Sequence, residues 1–329
     1  MLRSYSRGGI LVMLTLCILC LVAADAPKEG VYDDPAKVDA DFAFQGEYTG
    51  NLGDDKTKYG VQIIAKGNGK FHAIGLPGGL PGDGWSFPVK VEADGELKDG
   101  VLEIGGKEGK AILKGNGVAQ LFDGDGNAVG EMKRVDRESH TLGAKPPAGA
   151  IVLFDGKSPD QFEGGQMTAD GLLKEGVTSK LKHGSCQLHL EFRLPYMPKA
   201  TGQGRGNSGC YLQGRYEVQI LDSFGLEGKD NECGGIYSIK DPSQNMCYPP
   251  LTWQTYDIDF TAAKYDDQGK KVKSPVITVK HNGIVIHENV ELTKSTTAAP
   301  VKEGPEPGPL YLQNHSNPVR FRNIWMVAK

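Results

Sequence analysis

The sequence predicts an all-β protein in two unequal parts, a small antiparallel β domain followed by a larger jelly-roll β-sandwich. Three observations carry that prediction. Glycine supplies 45 of 329 residues while long helical periodicity is scarce, the mark of many short strands joined by turns. Turn signals such as Asp94-Gly95, Asp99-Gly100 and Asn282-Gly283 recur at short intervals. Adjacent Pro146 and Pro147 make a stiff linker between two β-rich stretches.

Arg3 and Arg7 precede an apolar run over residues 10–22, and small Ala23 and Ala24 follow it. Positive charge, a short apolar core and small residues predict a signal peptide over residues 1–24, hence a secreted or periplasmic protein. The run is shorter than the ~20 residues of a membrane span, and no other segment is apolar enough for a transmembrane span in the mature chain. Residues 25–41 are polar and read as a linker or arm. Residues 42–140 carry the regular turn signals of a small antiparallel meander or barrel. Asp123-Gly124-Asp125-Gly126-Asn127 lacks the twelfth-position glutamate of a calcium loop and reads as a turn. Residues 141–150 form the proline-rich linker.

Strands are clearest over residues 151–329. Leu188, Leu190, Phe192 and Leu194 alternate with Gln187, His189, Glu191 and Arg193, so one face is buried and the other polar. Tyr256, Ile258 and Phe260 repeat that pattern. Residues 277–286 form a hairpin closed by a type I′ turn at Asn282-Gly283. Residues 310–315 and 319–325 complete a set suited to a two-sheet sandwich.

The chain is mildly acidic, with 37 Lys and Arg against 41 Asp and Glu. No basic stripe could neutralise successive phosphates, which excludes nucleic acid as the main ligand. Cys17 and Cys20 leave with the signal. The remaining four cysteines stand in an oxidising compartment, where a Cys233–Cys247 disulfide would tie down one loop. Cys186 and Cys210 then pair by elimination or stay free.

Residues 205–222 carry the chemistry. On the strand ending at Asp222, Glu217 and Gln219 share one face while Val218 and Ile220 enter the core. The polar faces of neighbouring strands add Arg193, Gln213, Gln313, His315 and Arg322; Asn207 opens the segment, and Tyr237 and Trp253 offer stacking rings. Such a set suits a carbohydrate, whose vicinal hydroxyls need paired polar groups and whose apolar ring faces need flat partners. Glu217, His315 and Asp222 are the catalytic candidates. His183, His189, His281 and His287 read as surface histidines. A solvated sheet face is the plain alternative for Glu191 and Arg193. No nucleophile elbow, phosphate loop or metalloprotease helix occurs.

Residues 151–329 resemble the 3-keto-disaccharide hydrolase domain family. The resemblance rests on an ordered series: Leu153-Phe-Asp-Gly-Lys-Ser158, Leu190-Glu-Phe-Arg193, Asn207-Ser-Gly209, Tyr216-Glu-Val-Gln-Ile-Leu-Asp222, Gly235-Ile-Tyr237, Trp253-Gln-Thr-Tyr-Asp257, His281-Asn-Gly283, Tyr311-Leu-Gln313 with His315, and Val319-Arg-Phe-Arg-Asn-Ile324. It implies a concanavalin A-like sandwich that hydrolyses glycosides of 3-keto-sugars, with an oxidised di- or oligosaccharide as partner. One departure is Phe162, where the family usually carries tryptophan. Gln219 cannot move protons as a carboxyl does, so the two-carboxylate glycosidase mechanism lacks a partner on its strand. A 3-keto group acidifies the C2 proton and opens an elimination route, with Glu217 or His315 as base, Arg193 or Arg322 and Gln219 holding the sugar, and a divalent metal on Glu217, Asp222 or His315 as an option. A non-catalytic lectin-like module and a conventional endoglucanase are the competing readings.

Overall fold

A computed structural model describes residues 29–53, 56–85 and 88–329. The expected signal peptide, with Cys17 and Cys20, lies outside the described residues. The architecture is all-β, with three short 3₁₀ turns and no helix long and apolar enough to cross a membrane among the described residues.

Eight strands form a closed antiparallel barrel: β1 (Gly46–Leu52), β2 (Thr57–Gly67), β3 (Lys70–Pro77), β4 (Val91–Lys98), β5 (Val101–Gly106), β6 (Gly109–Leu113), β7 (Val118–Asp123) and β8 (Ala128–Val135). Each pairs with its successor, and β8 returns to β1, so no edge is left to aggregate. Asp99-Gly100 falls between β4 and β5 as expected, but Asp94-Gly95 is no turn: it lies inside β4, where Asp94 pairs with His72 and Gly95 with Phe71 of β3. Asp123 indeed holds a turn, its carboxylate accepting from the backbone of Asp125 and Asn127.

Period-two alternation in β2 and β3 has an unusual outcome, because both faces are buried. Ile63, Ala65, Phe71 and Ala73 point into the barrel, whereas Ile64, Ile74, Leu76 and Leu80 join the core of the C-terminal half. That packing needs a glycine opposite: a Cβ on Gly225, at φ +79°, would lie 2.6 Å from the Ile64 Cδ1. Arg137 adds a polar tie, forking onto Glu47 of β1 at 2.6 and 2.7 Å, donating to the Pro81 carbonyl and stacking over Tyr248. At one end of the barrel, Tyr196 from the C-terminal half packs into the barrel core beside Phe42, just before β1, and Tyr32 of the preceding segment.

The C-terminal half holds β9 (Ile151–Phe154), β10 (Phe162–Glu163), β11 (Leu173–Lys174), β12 (Val177–His183), β13 (Cys186–Arg193), β14 (Ser208–Leu212), β15 (Tyr216–Ile220), β16 (Trp253–Thr261), β17 (Lys264–Tyr265), β18 (Lys271–Lys273), β19 (Val276–His281), β20 (Ile284–Glu291), β21 (Gly308–Leu312) and β22 (Arg320–Ala328). One sheet runs β10-β12-β21-β14-β15. The other runs β11-β22-β13-β16-β19-β20 with β9 also on β22, and β17-β18 is a separate hairpin. All pairings are antiparallel. Val218, Ile220, Leu310 and Leu312 of the first sheet share one apolar cluster with Leu190, Phe192, Ile258 and Phe260 of the second. Asn282 and Gly283 both take positive φ, as the type I′ turn of the β19–β20 hairpin requires. Phe162 is buried in this cluster, so the departure noted at that position lies in the core.

Two expectations are corrected here. The four histidines read as surface residues are buried: His189 faces Asp257 at 2.6 Å and stacks on Trp325, His281 meets Gln254, His287 meets the Gly234 carbonyl, and His183 meets the Gly184 carbonyl. Each carries a partner that satisfies a ring nitrogen, which is what permits an imidazole inside a sheet. Cys233 and Cys247 are not bridged; both are free, as are Cys186 and Cys210. The two thiols are hydrogen-bonded neighbours rather than a bridge, and Tyr256 Oη also meets Cys233 while the Leu221 and Tyr248 carbonyls meet Cys247.

Candidate active site

Strands β14 and β15 build the site by parity. Tyr216, Val218 and Ile220 enter the core between the sheets, which leaves Glu217 and Gln219 on the opposite face. There they meet Tyr211 of β14, Asn207 just before it, Tyr237 after β15, and Gln313 and His315 just past β21. Together with Gln203, Thr297 and Ala298 these residues enclose a pocket of about 80 Å³.

Glu217 is only 3% exposed. Its Oε2 accepts from the Tyr211 hydroxyl at 2.8 Å, and Gln313 Nε2 donates to that same hydroxyl oxygen at 3.3 Å. Its Oε1 accepts no hydrogen bond from a described residue. That oxygen sits over Gly209, where an added Cβ would be 2.2 Å away, so a side chain at 209 is incompatible with this carboxylate position. Burial pushes the Glu217 carboxyl up to about 8, against the hydrogen bond from Tyr211, which favours the ionised form. A buried carboxyl poised near neutrality in a cleft is suited to moving protons.

The remaining polar groups divide into occupied and open ones. Gln219 is committed to the protein, donating to Gln203 Oε1 at 3.1 Å and accepting from the Ile220 amide at 2.9 Å. Asn207 donates twice to Gln203, but its Oδ1 is buried with no hydrogen-bond partner. An orphaned buried acceptor is rare and marks a place for a donor from outside the chain. Tyr237 is half-buried and His315 exposed at the rim; neither side chain makes a hydrogen bond among the described residues.

Five expected site residues do not line this pocket. Asp222 is buried against Arg205, whose Nε donates to Oδ2 at 2.6 Å, while Oδ1 accepts from the Phe224 amide. Gln213 sits in the β14–β15 turn at φ +54°, bonded to His183 and Arg215. Arg193, Trp253 and Arg322 lie together on the other sheet, with Arg322 4.0 Å and Arg193 5.2 Å from the Trp253 ring. Arg322 also pairs with Glu191 at 2.6 Å, and residues 143–144 run beside this patch, the Gly143 amide donating to Glu191 and the Ala144 carbonyl accepting from Trp325. Of the three residues offered as options for a divalent metal, Glu217 and His315 share the pocket and Asp222 lies outside it, and among the described residues no three His, Cys, Asp or Glu side chains are grouped to hold an ion. Gln203 and Gly209 are contributors that sequence reading passed over; a glycine inside an otherwise packed strand was the available signal for the second.

Residues 149–327, more than half of the chain, match the family described as the 3-keto-alpha-glucoside-1,2-lyase-like domain. The chain belongs to that family. It is the same 3-keto-disaccharide hydrolase group suggested by the ordered motifs, and it makes the protein a glycoside-cleaving enzyme. The lyase-like domain is also similar to a candidate glycosyl hydrolase of Parabacteroides distasonis, solved at 2.13 Å. The two are 32% identical with a TM-score of 0.50, over 56% of this chain and 85% of that one. A second candidate glycosyl hydrolase of the same organism matches at 19% identity and a TM-score of 0.40, over 55% of this chain and 94% of that one. None of the curated proteins matches the chain. The match leaves the barrel outside the lyase-like domain, whose residues include every member of the β14–β15 pocket.

Proposed function

We infer that the chain is an exported enzyme that breaks the glycosidic bond of 3-keto-glucosides by elimination, with Glu217 as the proton-moving group. The observation that carries this reading is the Glu217 carboxyl: buried, raised to about 8, fixed through one oxygen by Tyr211 and open at the other. Residues 151–329 act as a concanavalin A-like jelly-roll sandwich in this reading, with the pocket on the face of the five-stranded sheet turned away from the core. Residues 42–140 are a separate domain joined through the 141–150 linker.

The 3-keto group acidifies the hydrogen on C2. Glu217 Oε1 takes that proton, and the C–H electron pair delocalises onto the keto oxygen as an enolate. The enolate collapses to a C1–C2 double bond as the C1–oxygen bond breaks, and the leaving oxygen takes up a proton. Water adding across the double bond completes a net hydrolysis, and no oxidant or reductant enters. Tyr237 and His315, with uncommitted polar atoms beside the pocket, serve as donors to the enolate oxygen and the leaving oxygen. Asn207 Oδ1 accepts a sugar hydroxyl. Glu217 is the only carboxylate lining the pocket among the described residues, whereas a retaining glycosidase needs two about 5 Å apart.

The test is release of the leaving alcohol from a 3-keto-glucoside and from the same unoxidised glucoside, assayed with the whole chain. Cleavage confined to the oxidised compound supports the reading. Equal cleavage of both, or of the unoxidised one alone, defeats it.

A further inference from the structure

The barrel outside the lyase-like domain holds a second cavity, of about 320 Å³, four times the volume of the catalytic pocket. An eight-stranded barrel is just wide enough for its own side chains to fill, or to hold one small ligand where they do not. Here the inward positions change character along the barrel axis. Toward the end closed by Tyr196 and Phe44 they carry Phe71, Leu102 and Leu113, which fill the interior. Toward the other end they carry Gly75, Ala93 and Ala111, which leave it empty, and Ala119, the register partner of Leu113, lines its inner end. Gly75 is not imposed by the backbone. It lacks a positive φ, and an added Cβ would meet only Val91 at 3.5 and 3.7 Å, ordinary contact distances. At the mouth Val91 and Val129 line the cavity yet stand 63% and 50% exposed.

The lining offers a ligand little polar recognition. The one hydroxyl that reaches it, on Tyr48, already donates to the Phe44 carbonyl at 2.9 Å, and the Lys110 ammonium pairs with Glu103 at 3.2 Å. A sugar would bury hydroxyls there without partners, at a cost of roughly 1–3 kcal/mol for each. An apolar cavity of ~150 Å³ accepts one benzene ring, so this one accepts about two. We propose that the barrel is a binding cup for a neutral, apolar small molecule of about two aromatic rings, entering past Val91 and Val129.

The experiment titrates the full chain into prodan, an uncharged naphthalene dye whose emission shifts to the blue in apolar surroundings. Wild type should give saturable, blue-shifted emission with one dye per chain. Competition by 2-methoxynaphthalene, by decanol and by glucose separates the sources: displacement by the first identifies aromatic ligands, by the second alkyl chains, and glucose should displace nothing. Ala119→Leu and Gly75→Val, which put side chains into the cavity, should each weaken binding at least tenfold while glycoside cleavage is unchanged. Circular dichroism and thermal melting check each fold, and either variant suffices if the other fails to fold. Absence of saturable binding to wild type, wild-type binding by a folded filled variant, or displacement by glucose alone would overturn the proposal.

Discussion

Tyr211 and Glu217 face each other across the β14–β15 pair, and the tyrosine hydroxyl donates to one carboxylate oxygen at 2.8 Å while the other accepts no hydrogen bond from the described residues. The two residues are register partners on adjacent strands, so the contact follows from strand pairing and needs no loop to hold it. A sheet packed on its other face by Val218, Ile220 and Leu212 keeps both side chains in place. Rigid positioning of this kind is what proton transfer at carbon requires.

The pH dependence of turnover follows from that contact. With Glu217 at about 8, only its ionised fraction acts as base, so kcat/KM should rise roughly tenfold per pH unit below 8 and level off above it. Tyr211→Phe removes a hydrogen bond that favours the ionised form. Its rising limb should move to higher pH, with activity at pH 7 down about tenfold. A limb that stays in place would separate Tyr211 from the titrating group.

Stability should respond to the same carboxyl. Between about 4.5 and 8 the folded chain keeps a proton that the unfolded chain has released, so this group withdraws stability as pH rises through that window. Glu217→Gln removes the effect. Relative to wild type, the variant should gain stability from pH 4.5 to 8, at ~1.4 kcal/mol for each pH unit crossed and so by up to a few kcal/mol, and remain level beyond. Urea unfolding at several pH values measures it.

Gly209→Ala tests the space above the carboxylate. Its Cβ would lie 2.2 Å from Glu217 Oε1 and 2.8 Å from the Tyr211 ring, so both side chains must move. A loss of at least about a hundredfold in kcat is expected, as for misplaced reacting groups, in a chain that still folds.

Arg205→Met would leave Asp222 buried and unpaired, and a destabilisation of about 3–5 kcal/mol is expected by urea unfolding. Asp222→Asn, by contrast, should retain catalysis per folded molecule, because Asp222 does not line the pocket. Loss of catalysis in folded Asp222→Asn would return that residue to the chemistry.

Much of this was legible in the sequence where period two does the work. Glu217 and Gln219 fell on one face because Val218 and Ile220 had to fall on the other, and Asn282-Gly283 could hardly be anything but a hairpin turn. What misled was long-range pairing. Asp222 looked free until Arg205, 17 residues earlier, turned inward to meet it. Arg193 and Arg322 have the right polarity for a sugar, yet β13 and β22 belong to the other sheet, an assignment that strand parity does not supply. The buried histidines failed for the same reason, since their partners Asp257, Gln254, Gly234 and, for His183, Gln213 come from distant segments. In the barrel, Ile63-Ile64 reads as an ordinary apolar pair. Only the fold shows one residue entering the barrel and the other the neighbouring core.

The most direct test of Glu217 as the base follows the C2 hydrogen of a 3-keto-glucoside by proton NMR in D₂O, with wild type and Glu217→Gln. Cleavage by wild type should carry solvent deuterium to C2, with transient absorbance of an enone. Glu217→Gln should lose both exchange and cleavage by about two to four orders of magnitude, the usual worth of a general base. Cleavage with the C2 hydrogen retained, or exchange unchanged in Glu217→Gln, would contradict it.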